Sequence, residues 1–224
     1  MLTAGHCHQP ASGTRISMVR LGEWTVPGLG TARQGTAQPV QDFHIEEGAV
    51  TVHEEYEAVL RREGKSTIRN DIALVRLPRP ARIVDESVRM ICLPIARPEF
   101  QEALQVEDMA KDLEGRSGTV VGWGFTSGYD QQGDFEEYGV ASRSQQKLVV
   151  PILSNEECNQ WETDETQVRG EGGWGGGGGG GGPLLQVCAG GEEGRDSCNG
   201  DSGGGLYVQV QIYPKMLIQS LCLS

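Results

Sequence analysis

Residues 194–205 read GRDSCNGDSGGG, and the reading of this stretch governs the reading of the rest. Ser202 stands in it between Asp201 and Gly203, four positions after Cys198. Glycine lacks a Cβ, reaches backbone angles closed to other residues and lets a ligand approach the main chain, so this density of it around a serine points first to a ligand site. A serine hydroxyl is a poor nucleophile. It needs a base to take its proton, a group to orient that base, and donors for the oxyanion that develops on the attacked carbonyl. His6, in LTAGHC, is the candidate base, and Asp71, in NDIAL, the candidate orienting acid; each lies beside a short apolar stretch suited to a buried strand or its edge.

His6, Asp71 and Ser202 occur in the order of the trypsin/chymotrypsin-like triad, and their three segments resemble that family of serine proteases. VGWG at 121–124 and ICLP at 91–94 extend the resemblance, which runs from Leu2 to about Leu206 apart from one glycine tract. VRLGEW at 19–24 and PVQDFHIEE at 39–47 look most like the arthropod clip-domain proteases of immune and developmental cascades.

The resemblance implies an all-β fold, two six-stranded antiparallel barrels with the active site between them, forming one domain over residues 1–224. The first strands of the N-terminal barrel and the C-terminal strands and closing helix are expected to be missing. It also implies a serine endopeptidase in which Ser202 attacks, His6 shuttles the proton, Asp71 orients His6, and the N–H groups of Gly200 and Ser202 hold the oxyanion. Asp196, six before the serine, corresponds to the base of the primary specificity pocket, where a carboxylate would pair with a substrate Arg or Lys. Without the resemblance it is an ordinary acidic residue in GEEGRD. Expected partners are protein substrates with Arg or Lys at the cleavage site and serpin-type inhibitors. The family's freed amino terminus inserts beside the aspartate matching Asp201. Met1 is tethered to the histidine strand instead, so Asp201 is expected as a solvated turn residue in a disordered or zymogen-like loop.

The chain has 224 residues, enough for one domain with a substantial core or two small ones. Its net charge of −12 argues against nucleic acid or an anionic membrane as partner. No apolar run is long enough to cross a bilayer, and residues 1–7 lack the features of a signal peptide, although the family is secreted as zymogens. Six cysteines fit either an oxidised framework or buried thiols. The resemblance pairs Cys158 with Cys188 and Cys198 with Cys222, and gives Cys7 a partner upstream of this chain and Cys92 a partner in an attached light chain.

RISMVRL and GAVTVH read as strands around a loop at 25–38, and NDIALVRL as a core strand. Glu23 and Asp42 approximate calcium positions of related loops, but a surface loop without metal is the favoured reading, and no cofactor is expected. His44 and His53 read as strand-end surface residues, and His8 has no assigned role. Residues 99–113 are assigned to loop. GTVVGWG opens the second half as a strand with Trp123 in packing; QKLVVPILSNEEC is a strand followed by a helix start, capped by Ser154 or Asn155 with Glu157 in its first turn. The low-complexity insertion at 171–182 cannot bury apolar surface and is expected as a surface loop. LYVQVQIYPKMLIQS supplies one or two strands, without the expected Ser-Trp-Gly-like pocket wall. Two further readings stay open: a protease-like binding or cofactor protein without turnover, and an inactive truncated gene product.

Overall fold

The computed structural model describes residues 1–25, 40–60, 66–84, 87–93, 111–126, 141–154, 156–157, 187–192, 194–212 and 215–222. Its described strands lie in two groups, each with its own core. In the first half, β1 (Leu2–Thr3), β7 (Ala73–Val75) and β4 (Val50–Val52) form a three-stranded sheet in the order β1-β7-β4. β2 (Met18–Leu21) pairs with β3 (Gln41–His44), and β5 (Glu57–Leu60) with β6 (Ser66–Arg69). In the second half β8 (Ser117–Gly122), β9 (Gln146–Pro151), β10 (Gly205–Ile212) and β11 (Lys215–Cys222) make a four-stranded sheet in the order β11-β10-β8-β9. Every pairing is antiparallel. This is the all-β class that the resemblance implies.

Side-chain alternation explains the partition. In β3 Gln41 and Phe43 are buried while Asp42 and His44 are exposed, and in β7 Ala73 and Val75 flank an exposed Leu74, the period of two that puts one face of a strand on a core. Phe43 (1% exposed), Val19 and Val75 form the first core, with Ile16, Leu21, Ile45, Val50, Leu77 and Ala81 packed around them. Leu113, Val120, Val150, Ile152, Leu206 and Val208 form the second. Gln41 is the exception, a polar side chain 2% exposed. Its amide exchanges two hydrogen bonds of 2.8 Å with the backbone of Arg82, acting as one more strand rung.

One expectation is met here and two are corrected. LYVQVQIYPKMLIQS, read as one or two strands, contributes to two, β10 and β11, paired antiparallel. Within the stretch assigned to loop, residues 111–113 are helical, and Leu113 from that turn is buried in the second core, which rewards the local winding. Cys198 is a free thiol, so it is not bonded to Cys222, whose register on β11 places it opposite Gly205, beyond the loop that carries Cys198. Cys188 is disulfide-bonded. Cys158 and the glycine tract at 171–182 lie outside the described residues, as do residues 26–38 of the expected loop.

The expected helix start is present. Ser154 Oγ accepts the Glu157 N–H (3.2 Å), while Glu157 Oε2 accepts both the Ser154 N–H (2.9 Å) and its hydroxyl (2.8 Å), a reciprocal cap.

Candidate active site

Register alone brings His6 and Asp71 together. Thr3 on β1 lies opposite Ala73 on β7, so the chain leaving β1 and the chain entering β7 run side by side. The first turns through a 3₁₀ segment, Gly5–Cys7, that carries His6; the second carries Asp71 just before β7. Asp71 grips His6 twice. Its Oδ1 accepts the His6 backbone N–H and its Oδ2 faces His6 Nδ1, both at 2.7 Å. The aspartate side chain is 4% exposed and the histidine 29%. A buried carboxylate on Nδ1 leaves the proton there and turns Nε2 outward as an acceptor, the form a general base requires.

Ser202 arrives from the other half, on the loop that feeds β10, and is exposed. Gly203 (φ +79°) seats this loop against the histidine segment: a Cβ there would run into Thr3 Oγ1 and stand 3.1 Å from Cys7 Sγ. Cys7 Sγ in turn lies 3.8 Å from His6 Nε2 and 3.8 Å from the Ser202 carbonyl oxygen. The structure thus joins Asp71 to His6 directly and brings the Ser202 residue to the same cluster, with the thiol as the intervening contact. Among the described residues the Ser202 hydroxyl makes no hydrogen bond to His6. Burial pushes the Cys7 thiol above its ordinary range, and the nearby Asp71 charge adds to that shift. Tyr56 is raised in the same way, by burial and then by Asp71; its hydroxyl accepts from Gln9 Nε2 at 2.5 Å.

The two proposed oxyanion donors lie on the same loop. Gly200 (φ +95°) takes a backbone conformation that favours glycine, and among the described residues neither its N–H nor that of Ser202 enters a backbone hydrogen bond. Asp201 between them corrects an expectation. It is half-buried, not a solvated turn residue, and its carboxylate accepts the N–H of Gly124 at 2.8 Å and of Cys198 at 3.0 Å. Backbone N–H groups satisfy it where solvent was expected to. The Met1 ammonium is elsewhere, donating to the Val75 carbonyl at 2.7 Å.

Asp196 is exposed, and its Oδ1 accepts the neighbouring Ser197 N–H at 2.7 Å. Glu23 and Asp42 both face Arg20: Asp42 binds the guanidinium through two bonds of 2.7 and 2.8 Å, and Glu23 through one of 3.5 Å. No group of three or more potential metal ligands occurs among the described residues. His8 Nδ1 accepts the Ile16 N–H at 3.2 Å, a structural tie. Trp123 is half-buried, and its indole N–H donates to the Trp24 carbonyl at 3.3 Å, linking the two halves. Sequence reasoning did not find Cys7 as a contact of His6 Nε2, nor Gly124 and Cys198 as the donors to Asp201.

The sequence matches the trypsin family over residues 1–218. It is 33% identical over 214 residues to the CLIP domain-containing serine protease HP8 of Bombyx mori, covering 93% of this chain and 47% of that protein. Against phenoloxidase-activating factor 3 of Holotrichia diomphalia it is 33% identical, with 94% of this chain and 49% of the relative covered. The Spaetzle-processing enzyme of Drosophila melanogaster is 31% identical, with coverages of 94% and 45%. The chain spans about half the length of the curated relatives it matches. A bonded His6–Asp71 pair, a glycine-seated Ser202 loop beside it and a match along nearly the whole chain agree: this polypeptide belongs to the trypsin family of serine proteases, and its relatives are arthropod CLIP-domain proteases.

Proposed function

We propose that the chain carries the catalytic machinery of a serine endopeptidase. The observation that supports this most is the doubly held His6, with Nδ1 on a buried carboxylate and Nε2 facing the cluster that includes Ser202. In the reaction, Ser202 Oγ attacks the scissile carbonyl as His6 Nε2 takes its proton. The new oxyanion is held by the N–H groups of Gly200 and Ser202, each such donor contributing about 2.7–4 kcal/mol to transition-state stabilisation. His6 then returns the proton to the leaving amine, and water repeats the sequence to free the enzyme. The attack requires the exposed Ser202 Oγ to settle within about 3 Å of Nε2.

Cleavage after Arg or Lys is the specificity we assign, with Asp196 as the acidic group that meets the basic side chain. Extracellular action in a proteolytic cascade, with serpin-type inhibitors as partners and no cofactor, completes the proposal. Relatives with names such as phenoloxidase-activating factor and Spaetzle-processing enzyme support the cascade context. Among the described residues no helix is long and apolar enough to cross a membrane.

A protease-like binder without turnover is the second reading, favoured by the absence of a Ser202–His6 hydrogen bond among the described residues. A fluorophosphonate probe decides between them. Labelling of the full-length, proteolytically activated protein that disappears in Ser202→Ala supports the enzyme; no labelling of the activated wild type supports the binder.

A further inference from the structure

β8 ends at Gly122, and Gly124 follows two residues later. Neither has a positive φ, whereas Gly200 and Gly203 on the facing loop do. No positive φ calls for glycine at either position, so what sets them apart is space, and the space is filled by Asp201. A Cβ on Gly124 would stand 2.5 Å from the Asp201 carboxyl carbon, and one on Gly122 would overlap Oδ1. Into that gap Gly124 also donates its N–H, at 2.8 Å.

The rest of the loop is tied to the same place. Phe125 donates its N–H to the Asn199 carbonyl at 2.9 Å, and a Cβ on Gly200 would lie 3.2 Å from Gly124 Cα. Within the loop, Cys198 donates to Asp201 Oδ2, Asp201 to the Cys198 carbonyl and Gly204 to the Asp201 carbonyl, each at 3.0 Å. A turn knit to itself and fastened to one strand end moves as that strand end allows.

We infer that Gly122 and Gly124 are positioning residues: by leaving room for the Asp201 carboxylate and donating the Gly124 N–H to it, they set where Gly200 and Ser202 stand. For its catalytic consequence this rests on the serine-protease reading; for its structural consequence it does not.

The test compares Gly122→Ala, Gly124→Ala, Asp201→Ala, the Gly124→Ala/Asp201→Ala double variant and a control, Gly118→Ala. In the control the added methyl meets Leu206 Cδ1 at 2.5 Å, a clash on the same strand but in the core. Amide hydrogen exchange is followed across residues 196–204, and fluorophosphonate labelling of Ser202 is timed in the full-length, activated protein. A misplacement on the order of 1 Å predicts labelling about 100-fold slower in Gly122→Ala and Gly124→Ala. Exchange of the loop amides should be faster in both. Gly118→Ala should lower the Tm and leave both loop readouts unchanged. Asp201→Ala should match the glycine variants, and adding Gly124→Ala to it should cost nothing more, since the methyl then has no carboxylate to meet. If the alanine variants fail to fold, Asp201→Asn adds no heavy atom and reads the same seat: its one acceptor oxygen keeps only one of the two N–H partners, so either the Gly124 or the Cys198 amide should exchange faster.

Loop exchange at the wild-type rate in Gly124→Ala, additive losses in the double variant, or an equal loop response in Gly118→Ala each overturns the inference. Where wild type is not labelled but the exchange pattern holds, the protease reading fails and the positioning role stands. Where wild type is labelled but the exchange pattern is missing, the positioning role fails and the protease reading stands.

Discussion

Asp71→Asn tests the most tightly defined part of the site, because the double grip on His6 dictates how an amide would sit there. Both carboxylate oxygens accept at 2.7 Å, Oδ1 from the His6 backbone N–H and Oδ2 facing Nδ1, in a pocket that leaves the side chain 4% exposed. Asparagine has the same shape but only one acceptor oxygen. The backbone N–H can only donate, so the amide must keep its oxygen there and turn its NH₂ to the ring. The reverse orientation would leave a buried N–H facing an NH₂, at a cost of about 1–3 kcal/mol. An NH₂ on Nδ1 makes that nitrogen the acceptor and moves the imidazole proton to Nε2, the atom that has to receive the serine proton. The expected result is a folded protein with kcat reduced about 10⁴-fold, equivalent to about 5.4 kcal/mol in the barrier. Turnover of an ester substrate by the activated protein measures the first effect, and ¹⁵N chemical shifts of His6 measure the tautomer directly. An Asp71→Asn protein within about tenfold of wild type, or one whose Nδ1 remains protonated, would refute the reasoning.

Phe43→Ala should remove about 3–5 kcal/mol from folding, read by urea denaturation, since the ring is 1% exposed between Val19 and Val75. Part of that loss belongs to Arg79, whose guanidinium lies 4.3 Å from the ring centroid, so Phe43→Leu should still lose stability; a neutral Leu variant would count against the contact. Iodoacetamide should alkylate the free, exposed Cys92 and Cys198 before the half-buried Cys7, because the thiolate is the reactive form and burial holds the Cys7 thiol neutral above its ordinary value of 9.0. The sign of the linkage is fixed by the same shift. A raised folded-state value contributes stability below the ordinary value, and this contribution is lost as pH climbs above 9.0. Peptide mapping with Cys7 labelled as fast as the other two would contradict this.

The His6–Asp71 pairing and the all-β class were legible through the motifs around His6, Asp71 and Ser202 and the family resemblance those motifs carry; the buried–exposed alternation of β7 was not, since Ala73, Leu74 and Val75 are all apolar. Contacts that depend on register were not. The family resemblance pairs Cys198 with Cys222, yet Cys198 is free and β10 and β11 place Cys222 across from Gly205, a register no sequence pattern states in advance. Asp201 misleads for a related reason. A buried carboxylate suggests a cationic partner, and the neutral alternative, backbone N–H groups, carries no side-chain signature. One of its donors is 77 residues away, at Gly124. The two glycines of VGWG were visible, but only the carboxylate lodged against them shows what their missing side chains are for. Asp196 was placed by analogy with a pocket base; in the structure it is an exposed acceptor for Ser197, and its meeting with a substrate cation stays a proposal.

His6, Asp71 and Ser202, the proposed triad, are not held with equal force. Pulling His6 from Asp71 would break two hydrogen bonds to a buried charged group, each contributing about 1.5–3 kcal/mol, and would strand a carboxylate that is 4% exposed. The β1–β7 register resists that displacement as well, since Leu2 and Thr3 are paired just before the turn. Ser202 is held to the same cluster by far less: sulfur contacts of 3.8 Å to its carbonyl and to His6 Nε2, and the fit of Gly203 against the histidine segment. Its strong ties run the other way, through Asp201 and Asn199 to the end of β8. The histidine–aspartate pair is therefore built into the first half and the serine loop is fastened to the second. Whatever changes the fit of the two halves, or the seat at Gly124, changes the Ser202–His6 distance before it disturbs anything else in the triad.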